Sequence, residues 1–198
     1  LYLPLRPKRR TRATIAKEAG LEPLADKMYE VNVRNLDAEA AKFVNDKVAD
    51  IDAALAGARD IIAECLSESA KVRETLRGIF RTRRVVSKAT KSGRESADAQ
   101  KFQGYFDYSE PLSRIAAHRL LAMLRGEEAG WLSVKIDADA EKCGNKLYYD
   151  FCQERRYPAG KLAEQIRMAV DDAYKRLLEP SITTEILREA KQKADQDS

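Results

Sequence analysis

Apolar residues recur along most of this chain with helical rather than strand spacing. Val44, Val48, Ile51, Leu55, Ala58, Ile62 and Cys65 follow one another at alternating four- and three-residue steps. That period is one stripe of a long amphipathic helix, which the pattern predicts from about residue 37 to residue 66. Asn35 or Asp37 can cap it, and the small residues Ala54, Ala56 and Gly57 would let another helix approach closely. Upstream, Thr11 and Thr14 can cap a short helix closed by Gly20, and a second short helix fits Glu22–Tyr29. Downstream, Val72, Leu76 and Ile79 or Phe80 mark the inner face of a helix over about 69–79. Leu162, Ile166, Ala169, Ala173 and Leu177 share a face of a helix over 159–178, stopped by Pro180, with Ser181 capping an outgoing helix. The helix over residues 37–66 is expected to bury its stripe against the helix over 159–178.

Two segments break the period. Arg83–Ala89 loses the helical period and its Val85 and Val86 favour a strand, and Trp131–Ile136 alternates between faces; paired, they make a small antiparallel ribbon. Between them lies the aromatic group Phe102, Tyr105, Phe106 and Tyr108, and Ser109-Glu110-Pro111 reads as a helix opening, with proline in the first turn. A further helix fits about residues 142–153. The expected fold class is mainly α: an irregular helical bundle with one long amphipathic helix and a small antiparallel β ribbon. The organisation expected is a basic strap with short helices (1–34), a helical core with the minor β element (35–179), and an exit helix (180–198) leading to a downstream domain.

Composition agrees with this class. Apolar residues are 44 % and charged residues 34 % of 198, enough for a core and typical of helical proteins. No apolar run is long enough to span a membrane. The cysteines Cys65, Cys143 and Cys152 form no CxxC pair and His118 is the one histidine, so neither a disulfide framework nor a zinc site is expected. A reduced cytoplasmic setting is the simpler reading. No cofactor and no catalytic site is expected. His118 has no nucleophile or orienting acid near it in sequence, and Asp107, Glu110, Glu127 and Glu128 lie at opposite ends of the intervening segment, where cap roles suit them better than metal-assisted chemistry.

The charge is uneven. Residues 1–12 and 73–94 hold 13 basic groups against Glu74 alone, while the other 23 basic and 31 acidic groups leave the remainder net negative. Focused positive charge is the footprint of a polyanion contact; a solvated face, or a strap docking on acidic helices, gives the same pattern. Candidate nucleic-acid contacts are Lys8, Arg9, Arg10, Arg12, Arg81, Arg83, Arg84 and Lys88. The aromatic group at 102–108 can stack unpaired bases or serve as a half-buried apolar hinge.

Longer blocks carry a resemblance. Leu1-Tyr2-Leu3-Pro4 with Arg6-Pro7-Lys8-Arg9-Arg10-Thr11-Arg12, then Gly20–Asp26 (GLEPLAD), Ala54–Glu64 (ALAGARDIIAE), Asp107–Pro111 (DYSEP) with His118-Arg119 and Leu124–Glu127, and Asp172–Pro180 (DAYKRLLEP) occur in order along nearly the whole chain. The stretch from Asp137 to Tyr157 falls outside them. Together they resemble the bacterial Tex (transcription accessory) family. The resemblance implies part of a helical N-terminal region that contains a helix-turn-helix module and precedes an RNase H-like domain, helix-hairpin-helix modules and an oligonucleotide-binding β-barrel. It also implies RNA or DNA, transcription machinery and other domains of the same polypeptide as partners. The function expected is a non-catalytic region contributing to RNA binding and transcription-related regulation. The alternative is a scaffold, or a protein-docking region, that positions other domains without touching nucleic acid.

Overall fold

The computed structural model describes residues 10–197. In chain order it contains α1 (Arg12–Glu18), α2 (Glu22–Tyr29), α3 (Leu36–Ala41), α4 (Ile51–Glu68), α5 (Ala70–Arg81), β1 (Arg84–Ala89), α6 (Lys91–Glu95) and a 3₁₀ segment (Ala97–Tyr105). There follow β2 (Asp107–Pro111), α7 (Ala117–Glu128), β3 (Leu132–Asp137), α8 (Ala140–Arg155), α9 (Lys161–Asp172), a π-helical stretch (Ala173–Leu178) and α10 (Glu179–Asp197). The chain is mainly helical, as its periodicity requires. It divides into two compact units: residues 1–69 with 144–177, and residues 70–143 with 178–198.

In the first unit α4 is the element the others pack on. The Asp50 carboxylate accepts from the Ala53 amide and starts it. Its stripe of Ala54, Leu55, Ala58, Ile61, Ile62 and Leu66 is buried, and α1, α2, α3 and α9 lie against it. The expected packing on the helix at 159–178 is therefore present, through the buried Leu162, Ile166 and Ala169 of α9. Gly57 lets α1 and the α1–α2 turn come close: a Cβ there would lie 2.2 Å from Leu21 Cδ1 and 3.3 Å from Ala16 Cβ. Thr11 caps α1 in a reciprocal pair with Thr14, and Gly20, at φ +86°, turns the chain into α2.

The expected continuous helix from residue 37 is corrected to two helices. Asn35 caps α3 as anticipated, but residues 42–50 leave the helix. There Asn45 turns back on itself, its side chain accepting from the Lys47 and Val48 amides. The stripe crosses this break without a helix beneath it, so Val48 is buried and Val44 is exposed. The α8 end is tied in by Tyr157, whose hydroxyl lies 2.7 Å and 2.6 Å from the Met28 and Tyr29 carbonyl oxygens. The Arg155 guanidinium stands 4.2 Å from the ring centres of both Tyr29 and Phe151, and burial pushes the Tyr157 phenol above its ordinary range.

In the second unit, α7 and a three-stranded antiparallel sheet of order β2-β1-β3 make the core. The expected ribbon is present, with Val86 opposite Lys135 and Ser87 opposite Val134. A third strand replaces the expected helix opening at Ser109-Glu110-Pro111. Asp107–Pro111 pairs along the other side of β1, with Arg84 opposite Pro111. Proline is tolerated there because β2 is an edge strand. Val85, Val134 and Ile136 point inward with Leu120 and Met123 of α7. Pro180 does not stop the helix it follows: the wider π turn precedes it, and it lies in the first turn of α10, where a missing amide donor costs least.

A charged residue in the α4 stripe tests this arrangement. Leu55→Asp should lower stability by about 3 kcal/mol or more, through an unpaired buried carboxylate, whereas Val44→Asp should stay within about 0.5 kcal/mol. Urea midpoints of both variants check this; equal midpoints would contradict the central position of α4.

Candidate nucleic-acid interface

Six of the eight basic residues proposed from the sequence fall among the described residues. Lys8 and Arg9 lie outside the described residues. Arg10 and Arg12 belong to the first unit; Arg81, Arg83, Arg84 and Lys88 belong to the second. Arg10 pairs with Glu18 at 2.7 Å across an exposed surface. Arg12 opens α1 near Asp60, whose carboxyl is raised by burial, against the lowering pull of Arg176 and Arg12.

On α5, Arg73, Arg77 and Arg81 recur every four residues and so share a face. Glu185 and Glu189 of α10 are also four apart and lie along that face. Arg73 pairs with Glu185 and donates to Ser181 Oγ at 2.7 Å. Arg77 Nε donates to Glu185 at 2.7 Å. Arg81 grips Glu189 with two nitrogens, at 3.0 and 2.9 Å. Glu74 adds a contact to Arg77 at 3.2 Å. The guanidinium groups of Arg77 and Arg73 hold the Glu185 carboxyl below its ordinary range. Arg83 and Arg84 serve the sheet: Arg83 Nε donates to the Asp137 carbonyl at 2.9 Å, and Arg84 donates to Ser109 Oγ and its carbonyl at 3.2 and 3.0 Å.

Lys88 is different. It is exposed on β1 and takes part in no ion pair among the described residues. The pairing register puts Arg84, Val86 and Lys88 on the outer sheet face, with Ser133, Lys135 and Asp137 of β3 and Asp107 and Ser109 of β2. Directly after β1, the short helix α6 adds exposed Lys91 and Arg94. This face therefore carries Arg84, Lys88, Lys91, Arg94 and Lys135 against Glu95, Asp107 and Asp137. Lys135, hidden in sequence as one polar position of an alternating strand, joins it only through the register.

Of the four acids considered for catalysis, Glu110 and Glu127 make structural contacts, and Asp107 and Glu128 are exposed. Glu110 pairs with Arg119 at 2.8 Å and accepts from the Tyr108 hydroxyl at 3.0 Å. Glu127 accepts the Val134 amide of edge strand β3 at 3.1 Å. His118 is exposed on α7. Among the described residues no group of three or more His, Cys, Asp or Glu side chains is placed to hold a metal ion, and no helix is long and apolar enough to cross a membrane. The aromatic group divides: Phe102 is buried beside Trp131, with ring centres 5.7 Å apart, and Tyr105 meets Tyr108 edge-on at 5.5 Å. Sequence reasoning did not join Trp131 to this group, because 28 residues separate it from Phe102.

Fold and site together define a mainly helical region with an arginine-clasped sheet unit. The family model describing a Tex central region-like segment matches residues 33–198. The chain is similar to the transcriptional accessory protein Tex of Neisseria gonorrhoeae, 34 % identical over 200 residues that cover 100 % of this chain and 26 % of that protein. It is 46 % identical to protein YhgF of Escherichia coli and 42 % identical to protein tex of Bordetella pertussis, each over 71 % of this chain and 18 % of the relative. The chain belongs to the Tex family. It spans about a quarter or less of the length of these relatives.

The α5–α10 clasp has a pH signature. A depressed carboxyl adds stability that is fully present above its unfolded value, near 4.5, and is lost as pH falls through the lower folded value. Glu185→Gln should therefore be less stable than the parent at pH 7, and the gap should close progressively below pH 4.5. Denaturant midpoints at pH 7, 5 and 3 measure it; a gap independent of pH would mean that Glu185 acts through packing alone.

Proposed function

We propose that this chain is a non-catalytic part of a transcription accessory protein that contributes to binding single-stranded nucleic acid, RNA foremost, through the outer sheet face and α6 of its second unit. The carrying observation is the division of the cations. Arg73, Arg77 and Arg81 are neutralised by Glu185 and Glu189, whereas Lys88, Lys91, Arg94 and Lys135 are exposed and take part in no ion pair among the described residues. Unneutralised cations are the ones that release counterions from a phosphate backbone. The name of the gonococcal relative, a transcriptional accessory protein, supports the setting. The contacts are electrostatic and read no base edges, so binding is weak and indifferent to sequence.

The scaffold reading keeps one specific support: the α5–α10 ladder is a structural use of arginines that the sequence would assign to phosphates. The two readings separate in one experiment. With about three phosphates contacted, log affinity for a single strand should fall against log salt with a slope of about −2. Lys88→Gln, Lys91→Gln and Arg94→Gln together should flatten that slope, while Arg81→Gln should leave it unchanged. Absence of binding even at low salt would hand the region to the scaffold reading.

A further inference from the structure

A cleft of about 600 Å³ opens in the second unit between the 3₁₀ segment and α7. Its walls include Phe102, Tyr105 and Trp131, and its rim carries Lys101, Arg125 and Glu128. The Phe102 and Trp131 rings are inclined at 52°, and the Lys101 ammonium lies 5.6 Å from both ring centres. Phe102 is rooted in the core, but Trp131 and Tyr105 are only half-buried. Neither Lys101 nor Arg125 takes part in an ion pair among the described residues.

The aromatic wall is fixed by backbone. The Trp131 amide donates to the Gly126 carbonyl at 2.9 Å, and its carbonyl accepts from the Thr90 amide at 3.0 Å. Gly93 of α6 lies so close that a Cβ there would be 2.1 Å from the Trp131 carbonyl oxygen. At Gly126 a Cβ would come 2.4 Å from Leu132 and 3.1 Å from Phe102, so glycine is what admits the floor of the cleft. Rings held this way lose little freedom when a ligand arrives. The one long side chain over them, Lys101, is exposed and can swing aside.

We propose that this cleft is a stacking site for one unpaired nucleotide of a single strand. The base lies on the Trp131 ring, next to Tyr105. Lys101 leaves the ring face and, with Arg125, neutralises the flanking phosphate. Aromatic faces accept any base and an adjacent cation supplies the charge term. The single acid on the rim, Glu128, is outnumbered by the two cations. The site deepens the proposed function and rests on it for the nature of the ligand.

Trp131 is the only tryptophan of the chain, so its fluorescence reports on this cleft alone. An oligouridylate of about eight nucleotides should quench it. An abasic strand of equal length and charge should bind with a similar salt dependence, read by anisotropy of an end label, and leave the fluorescence unchanged. Uridine monophosphate should need far higher concentration than the strand. Lys101→Gln, at an exposed position, should weaken the oligouridylate several-fold, and Trp131→Phe, read by anisotropy, should cost less than Trp131→Ala. Equal affinity for the base-bearing and abasic strands without quenching overturns the stacking site and leaves the electrostatic reading standing. Quenching that saturates at the same concentration with the mononucleotide as with the strand overturns the assignment to a strand. Binding of neither strand at low salt overturns both proposals.

Discussion

The ladder between α5 and α10 decides what the remaining charge of the second unit can do. Each exposed ion pair contributes little to stability, about 0.2–1 kcal/mol. Its electrostatic consequence is larger than its energy. Two arginines converge on Glu185 and a third grips Glu189 with two nitrogens, so the α5 part of the basic run at 73–94 presents a largely cancelled field. The net positive surface then begins at β1, where the strand leaves α5 behind and Lys88 takes part in no ion pair among the described residues. Concentrated charge in a sequence and concentrated charge on a surface are different quantities, and here the last helix converts one into the other.

Much of the fold was legible because helical periodicity, caps and strand alternation are local. Glu22–Tyr29 follows from its own residues, as do the Thr11 and Asn35 caps and the strands at 84–89 and 132–137. The role of small residues on α4 was legible too, since Gly57 does admit Leu21 and Ala16. The misses are places where local and non-local terms conflict. Ser109-Glu110-Pro111 has the composition of a helix opening, and Asp107–Pro111 becomes a strand only because β1 offers a free edge. Val44 continues the apolar stripe by spacing, yet Asn45 spends its side chain on a turn and leaves Val44 in solvent. Pro180 looks like a terminator, and a preceding π turn lets the helix pass it.

The candidate site was less legible, and for one physical reason. Sequence counts charges but does not show their partners. Arg77 and Glu185, or Arg81 and Glu189, are 108 residues apart, and nothing near either arginine announces the acid. The four-residue spacing of Glu185 and Glu189 matches that of Arg77 and Arg81, which is the signal that could have been used. Lys88 was identified from charge alone and stands exposed; Lys135 needed the sheet register, and Trp131 needed the contact with Phe102.

Backbone constraint and side-chain freedom are arranged oppositely around the aromatic cleft, and that sets the kind of recognition it can support. Trp131 is held by hydrogen bonds from two directions and by a glycine against its carbonyl. Lys101 and the cations of α6 are long, exposed side chains on short elements. A fixed ring offers a flat apolar face but no hydrogen-bonding pattern matched to a particular base edge, so it distinguishes a base from no base, not one base from another. Mobile ammonium and guanidinium groups follow a phosphate wherever the strand places it, at an entropic cost that keeps affinity low. Under the proposed function, groups arranged in this way would hold a strand without reading it, because neither the ring nor the cations present a pattern that matches one base edge.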